Sequence, residues 1–255
     1  MFDSIFQEGT SFIYHVDPRV RILSGLFTAF LIAFLKKIDT AIIAFFVSLT
    51  FILVFHLPIR NLIKTLFFAN FFIAFLWLFV PFSIHGQPIF HVWRWIATVN
   101  GIKLAFLITL KCNAILMIII SFIATVPLPI LGYALDSLKF PNKLILIFLM
   151  SYRYIHVIFD EYNRLTQALQ IRCFKPKTNL RTYRTYAYLI AMVFIRSYER
   201  GIRIYNAMLL RGFNGKFYSL RKFHIKIQDI FLLCGLILFF SFLLIIDFSF
   251  KGTIL

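Results

Sequence analysis

Cysteines and acidic residues are scarce in this chain of 255 residues, which has three cysteines and 10 acids against 27 lysines and arginines. Cys112, Cys173 and Cys234 lie far apart without a CxxC motif, so the sequence predicts neither a disulfide framework nor a zinc site. It also lacks a GxxxxGK[ST] loop for nucleotide phosphates, and its acids and histidines form no recognisable catalytic cluster. We therefore expect no cofactor, no resident metal ion and no enzymatic activity.

Apolar residues dominate instead: 61% of the chain is hydrophobic, and 34 residues are phenylalanines. A soluble domain of this size cannot bury so much apolar surface. About 20 helical residues cross a bilayer core about 30 Å thick. We predict an all-α integral membrane protein with about five transmembrane helices, at residues 22–35, 40–59, 65–84, 112–135 and 230–246.

The ends of two of these helices are predicted from single residues. Asp17 is placed to cap the first helix, with Pro18 at its first position, where the missing N–H has no cost. Pro127 and Pro129 should end the fourth helix near Val126.

The basic residues are concentrated in one block. Residues 139–226 hold 17 of the 27 lysines and arginines but only three acids. Cytoplasmic segments of membrane proteins carry such an excess, so we expect this block inside the cell. A basic block between membrane helices favours a membrane-facing or protein-facing domain over nucleic-acid binding.

The chain is thereby divided into three parts. Residues 1–126 carry the first four transmembrane helices, and residues 229–255 carry the last helix and a tail. Residues 127–228 form a cytoplasmic or interfacial domain, with short interfacial helices at 144–159 and 186–195. Two further membrane spans at these places are the alternative.

An internal repeat lies within the basic block. Residues 154–174, "YIHVIFDEYNRLTQALQIRCF", align at an offset of 39 with residues 193–213, "VFIRSYERGIRIYNAMLLRGF". The matched pairs are Asp160 with Glu199, Arg164 with Arg203, Ala168 with Ala207, Arg172 with Arg211, and Phe174 with Phe213.

The two arginines of each repeat have different predicted roles. The first lies four residues after the acid, so Asp160 is expected to pair with Arg164 and Glu199 with Arg203 on one helix face. The second, Arg172 or Arg211, has no such acid and stands where Lys175-Pro176 or Gly212 ends the helix. Two such helix ends suit insertion into two grooves of another protein, and solvated or headgroup-anchoring arginines are the alternative.

Three segments carry a family resemblance: "YHVDPRVRILSG", "SLKFPNKLILIFLMSYRYIHVIFDEYNRL" and "FIRSYERGIRIYNAMLLRGFNG". Together they resemble the transmembrane T component of energy-coupling factor transporters, specifically the CbiQ and NikQ type, related to EcfT and linked to cobalt and nickel uptake. The resemblance runs from about residue 11 to residue 215.

The resemblance implies a non-catalytic scaffold in a prokaryotic cell membrane. Its partners would be two ABC ATPases, which hydrolyse the ATP, and a substrate-capturing membrane subunit similar to CbiM or NikM. In this family two coupling helices each end in an Ala-Arg-Gly motif whose arginine docks on one ATPase, which implies that role for Arg172 and Arg211. Here neither motif has the alanine, and the first has Cys173 in place of glycine.

The sequence is also compatible with two other transporter functions, and two further places in it are candidate sites. A vitamin-type T component is one alternative; a self-contained secondary transporter is the other, although no acid lies inside a predicted span. His85 and His91 have no ligand-like spacing, so we expect no metal site there. Lys111 lies within the membrane region and needs a partner, such as a helix carbonyl or Asn70.

Overall fold

The computed structural model describes residue 13 and residues 16–83, 88–92, 95–215 and 226–249. The predicted all-α class is confirmed, with one short β-hairpin that was not predicted. The helices are α1 (Pro18–Phe34), α2 (Ile38–Val54), α3 (Ile59–Ser83), α4 (Val99–Ile119), α5 (Leu128–Ser137), α6 (Asn142–Ile171), α7 (Leu180–Leu210) and α8 (Ile227–Ser249). The hairpin, β1 (Pro88–Val92) and β2 (Trp95–Thr98), lies between α3 and α4, and a π-helical segment, Ile120–Ala124, continues α4.

The chain divides into two compact units. Unit 1 comprises Met1–Pro127 and Lys222–Leu255, and unit 2 comprises Leu128–Arg221. The first and last parts of the chain therefore fold together in unit 1.

Helix α1 begins as its sequence predicts. The Asp17 carboxylate accepts a hydrogen bond from the Arg19 N–H at 2.9 Å, and Pro18 is the first helical residue. The predicted end of the fourth membrane helix is also confirmed, because the π-helical segment stops with Thr125 as its C-cap. The uncharged stretch from residue 112 is only part of this helix: α4 begins at Val99 and includes Lys103 and Lys111.

Three helical segments of the described chain are long and apolar enough to cross a membrane: Arg60–Ser83, Val99–Ala124 and Ile227–Ser249. Helices α1 and α2 have 17 residues each, at the lower end of the roughly 17–25 residues found in transmembrane helices.

The core of unit 1 is apolar but includes small hydroxyl residues. Helix α4 packs on α1, α2 and α3, and α1 packs on α8. Fully buried hydroxyls on these helices, such as Thr28 and Ser121, donate to carbonyls of their own helix. Small side chains with satisfied hydroxyls allow helix backbones to approach closely within a membrane.

Polar side chains connect α4 to its neighbours. The Lys111 ammonium donates to the Ala33 carbonyl at 3.0 Å, which confirms the expected helix carbonyl as its partner. Asn70 pairs with Asn113 instead: each amide donates to the other, at 2.9 and 3.0 Å. Ala33 lies in the last turn of α1, where carbonyls have no partner within the helix, so Lys111 also satisfies a helix end.

The two acids of α8 stabilise both ends of α1. Near the start of α8, the Asp229 carboxylate accepts from the N–H of Asp17 at 3.3 Å. Near its end, Asp247 accepts from the backbone N–H groups of Lys36 and Lys37, at 2.7 and 3.0 Å, and from the Thr40 hydroxyl. Asp247 thus binds backbone and side-chain donors of the turn between α1 and α2 and of the start of α2.

Unit 2 contains α5, α6 and α7. Helix α5 packs closely on α6, since a Cβ at Gly132 would lie 2.6 Å from a methyl carbon of Leu149. Helices α6 and α7 have 30 and 31 residues, so the expected short interfacial helices were wrong in length. Arg153, His156 and Asp160 lie at exposed positions of α6. Charged residues on the exposed face of an amphipathic helix do not interrupt it.

Candidate coupling surface

Helices α6 and α7 end in the same backbone conformation. Arg172 and Arg211 are the C-cap residues, with φ and ψ of −78° and 17°, and of −93° and 12°. The next residues, Cys173 and Gly212, are both left-handed, with φ of 58° and 77°. The sequence repeat is therefore also a repeat of structure at these two ends.

The same two backbone hydrogen bonds close each end. The N–H of Phe174, like that of Phe213, donates to the carbonyl five residues earlier at 3.1 Å. The preceding N–H donates to the carbonyl three residues earlier, at 2.9 Å in α6 and 3.0 Å in α7. This is the Schellman motif, which usually needs glycine at the left-handed position. Cys173 forms it without glycine, so the first helix end is as tight as the second.

Both arginines lie at exposed tips beside an exposed apolar side chain. Ile171 and Leu210, which directly precede them, are 83% and 91% exposed. Ala168 and Ala207, one turn earlier, are also exposed. Neither arginine forms an ion pair within the described residues. Each tip can thus offer a charged group and an apolar group to a partner, and the two apolar residues also match at the offset of 39.

Phe174 and Phe213, the two phenylalanines of the repeat, stabilise the ends of α6 and α7. The Phe174 ring contacts Tyr186 of α7 edge to face, with centroids 6.1 Å apart. Phe213 is half-buried and lines a groove of 410 Å³ together with Arg153, Ala207 and Arg211. These rings therefore hold the helix ends in place rather than forming the outermost contact.

The acids of the two repeats behave differently. Glu199 lies 4.0 Å from Arg203 on α7, and both side chains are exposed, so the pair contributes little stability. Among the described residues no ion pair joins Asp160 to Arg164. In α6 the neighbouring acid, Glu161, forms the ion pairs.

Glu161 joins α6 to α7. Its carboxylate is buried and accepts hydrogen bonds from the guanidinium groups of Arg196, at short range, and of Arg200, at 3.5 Å. The hydrogen bond from Arg196 holds the pKa of the Glu161 carboxyl below its usual value, and the positive charges of Arg196, Arg164 and Arg200 add to this effect. Sequence analysis missed this contact, although Arg196 and Arg200, four residues apart, lie on one face of α7.

The described residues contain no group of three or more histidine, cysteine, aspartate or glutamate side chains that could hold a metal ion. His85 and the side chain of His91 lie outside the described part of the chain, so the expectation that they form no metal site stays a prediction. This surface presents arginine and apolar side chains.

The fold and this surface define a class: an α-helical membrane protein that presents two equivalent arginine-bearing helix ends. Residues 9–224 match the family of CbiQ cobalt transport proteins, and the chain belongs to that family. This confirms the resemblance seen in the sequence.

Three relatives show the same similarity over most of their length. The energy-coupling factor transporter transmembrane protein EcfT of Lactobacillus helveticus is 28% identical over 81% of this chain and 79% of its own. The protein of the same name from Staphylococcus aureus is 26% identical over 86% of this chain and 87% of its own. An uncharacterised protein of Methanocaldococcus jannaschii is 25% identical, over 86% and 87%.

Proposed function

We propose that this chain is the transmembrane T component of an energy-coupling factor importer, and that it transports cobalt or nickel ions together with its partners. In this proposal it couples two ABC ATPases, which hydrolyse ATP, to a substrate-capturing membrane subunit. The observation that carries the proposal is the pair of matching helix ends, because equivalent binding grooves on two ATPases would require two equivalent helix ends. The family and the two relatives named EcfT support it.

The arrangement of charge supports a cytoplasmic position for unit 2 in a prokaryotic cell membrane. Its two long helices carry exposed arginines along their length and at their tips. Positive residues are retained on the cytoplasmic side of membrane proteins, which is also where ATP is available. In this position Arg172 and Arg211 face the ATPases.

The chemistry of docking follows from the guanidinium group. An arginine beside an apolar residue can form a bidentate pair with a carboxylate in a groove while Ile171 or Leu210 excludes water. Truncating one partner of such a buried pair costs about 2–5 kcal/mol, much of it because the other charge is left unpaired. Movement of each ATPase would then be transmitted to α6 and α7 as a pull on their ends.

The test is truncation of the two arginines in cells that express the whole transporter. We expect Arg172→Ala and Arg211→Ala each to reduce co-purification of the ATPases and uptake of radiolabelled cobalt or nickel, with the double variant affected most. Arg60→Ala removes an exposed arginine of α3, in unit 1 of the chain, and serves as the control. Normal ATPase recovery together with normal uptake in the double variant would overturn the proposal.

A further inference from the structure

The two helices that carry the arginines are joined at equivalent positions of the repeat. Glu161 of α6 contacts Arg200 of α7, and these residues are 39 positions apart, which is the offset of the repeat itself. Eleven residues separate Glu161 from Arg172, and eleven separate Arg200 from Arg211. At 1.5 Å per residue, both arginines lie about 16 Å along their helices from the crossing point. The ion pair thus lies at the crossing point of α6 and α7, and the helix segments that lead from it to Arg172 and to Arg211 are equal in length.

Few fully buried apolar side chains lie at this crossing, where α6 and α7 leave an apolar groove open between them. Beyond Leu149, Glu161 is the only buried residue of α6, all of which is described. On the other helix, a Cβ added to Gly201, next to Arg200, would meet nothing within 4 Å. Arg196 adds a second contact to the same carboxylate, one turn earlier on α7. The buried carboxylate and its two guanidinium partners are therefore the specific polar contact between the two helices at this point.

We infer that Glu161, held by Arg196 and Arg200, sets the angle at which α6 and α7 cross and thereby the separation of Arg172 from Arg211. Glu161 is a positioning residue, and its importance for transport rests on the proposed function of the two arginines. A rotation of only about 10° at the crossing would move a tip about 16 Å away by about 3 Å. Such a shift is as long as a hydrogen bond, so a tip would miss its partner group.

The same cluster also links the two ends mechanically. Helices are stiff over two or three turns, so a cross fixed at its centre moves as one body. A displacement imposed on the Arg172 end then reaches the Arg211 end without a separate contact between them. Without the ion pair, the end segments of α6 and α7 would move independently, each with the ATPase that it binds.

The separation can be measured in the full chain in lipid nanodiscs, without the ATPases. Spin labels are attached through Lys175→Cys and Asn214→Cys, just beyond the two tips, in a background with Cys112→Ala, Cys173→Gly and Cys234→Ala. Double electron–electron resonance should give a narrow distribution of distances. We expect Glu161→Ala and Glu161→Gln to broaden the distribution and shift its mean, because neither side chain keeps the charge that holds both arginines.

A matched control variant and a charge-reversal variant complete the experiment. Asp160→Asn removes the neighbouring, exposed acid of α6 and should leave the distribution narrow. Glu161→Arg alone should broaden the distribution through repulsion. Combining it with Arg196→Glu and Arg200→Glu, which rebuilds the cluster with reversed charges, should narrow it again and return the mean towards its original value. Circular dichroism verifies that each variant keeps its helices.

The results separate this inference from the proposed function. A distribution that stays narrow and unshifted in folded Glu161→Ala, or reversal variants that fail to narrow it, would overturn the inference even where the Arg172 and Arg211 variants lose the ATPases. Conversely, ATPase recovery that is insensitive to both arginines would overturn the proposed function, while a broadened distribution would still support the positioning role of Glu161.

Discussion

Cys173 and Gly212 occupy the same position, one residue beyond the C-cap residues of α6 and α7, and share a left-handed backbone. Glycine adopts this conformation without steric cost, whereas other L-residues are strained there by roughly 1–2 kcal/mol. The two matching helix ends therefore differ in stored strain although their hydrogen bonds are the same.

Exchanging these residues should change stability in opposite directions. We expect Cys173→Gly to stabilise the chain by about 1 kcal/mol and Gly212→Ala to destabilise it by a similar amount. No atom lies within 4 Å of a Cβ at Gly212, so the second effect comes from the backbone alone. Thermal unfolding in detergent measures both. Cys173→Ala keeps the strain and removes the thiol, and stabilisation by this control equal to that of Cys173→Gly would contradict the explanation.

Removing the carboxylate of Asp247 should destabilise unit 1. Three donors at the turn between α1 and α2 would lose their acceptor, at a cost of about 1–3 kcal/mol for unsatisfied buried groups. We therefore expect a lower midpoint of thermal unfolding for Asp247→Ala. Asp39→Ala removes an exposed acid in the first turn of α2 and should have a much smaller effect. Equal losses in the two variants would show that net charge, rather than capping, is responsible.

The amide pair between α3 and α4 should give non-additive mutational effects. Asn70→Leu leaves the Asn113 amide without its partner, and Asn113→Leu does the reverse. The double variant places two apolar side chains in contact, so its loss should be smaller than the sum of the single losses. Interhelical hydrogen bonds in membranes couple by about 0.6 kcal/mol on average and up to about 1.7 kcal/mol. Unfolding titrations with denaturing detergent would measure the coupling, and strict additivity would show that the pair contributes none.

The stability of the folded chain should decrease at low pH because Glu161 becomes protonated. The pKa of its carboxyl is lower in the folded chain than the ordinary value of 4.5. Its contribution is therefore fully present above about pH 4.5 and is lost as the pH falls through the lower, folded-state pKa. The charges that face it are those of Arg196 and Arg200 on α7 and of Arg164 on α6.

A comparison with Glu161→Gln isolates this dependence. The difference in unfolding midpoint between the natural chain and the variant should be constant from pH 7 to about pH 5 and should shrink at lower pH. A difference that remains unchanged under acid conditions would show that the carboxylate charge does not hold the two helices.

Local features of the fold could be predicted from the sequence, and contacts between distant residues could not. The Asp17 cap, the proline-terminated helix and the repeat all depend on neighbouring residues or on a fixed offset. The acceptor role of Asp247 joins residues more than 200 positions apart, and no local pattern identifies such a pair. Helix α6 was predicted too short because its apolar stretch ends before Asp160, whereas the helix continues through exposed charged residues to Ile171.

The arginines of the candidate surface could be found, but the residue that positions them could not. Arg172 and Arg211 stand out because the repeat aligns them and no acid lies within one turn. Glu161 was overlooked because spacing within one helix favoured Asp160 as the partner of Arg164. Only the crossing of α6 and α7 brings Glu161 to Arg196 and Arg200, and a crossing is a property of tertiary structure.

The two acids of α8 have a consequence for the order of assembly. Among the described helices α1 is synthesised first and α8 last, yet the acids of α8 bond backbone groups beside α1 that are 212 and 211 positions away. Such distant contacts form late in folding, because the intervening chain must first be ordered. Until α8 enters the membrane, the backbone groups at both ends of α1 lack these acceptors. A nascent chain that stops before α8 thus keeps exposed polar backbone at both ends of its first helix, and this distinguishes it from a finished subunit.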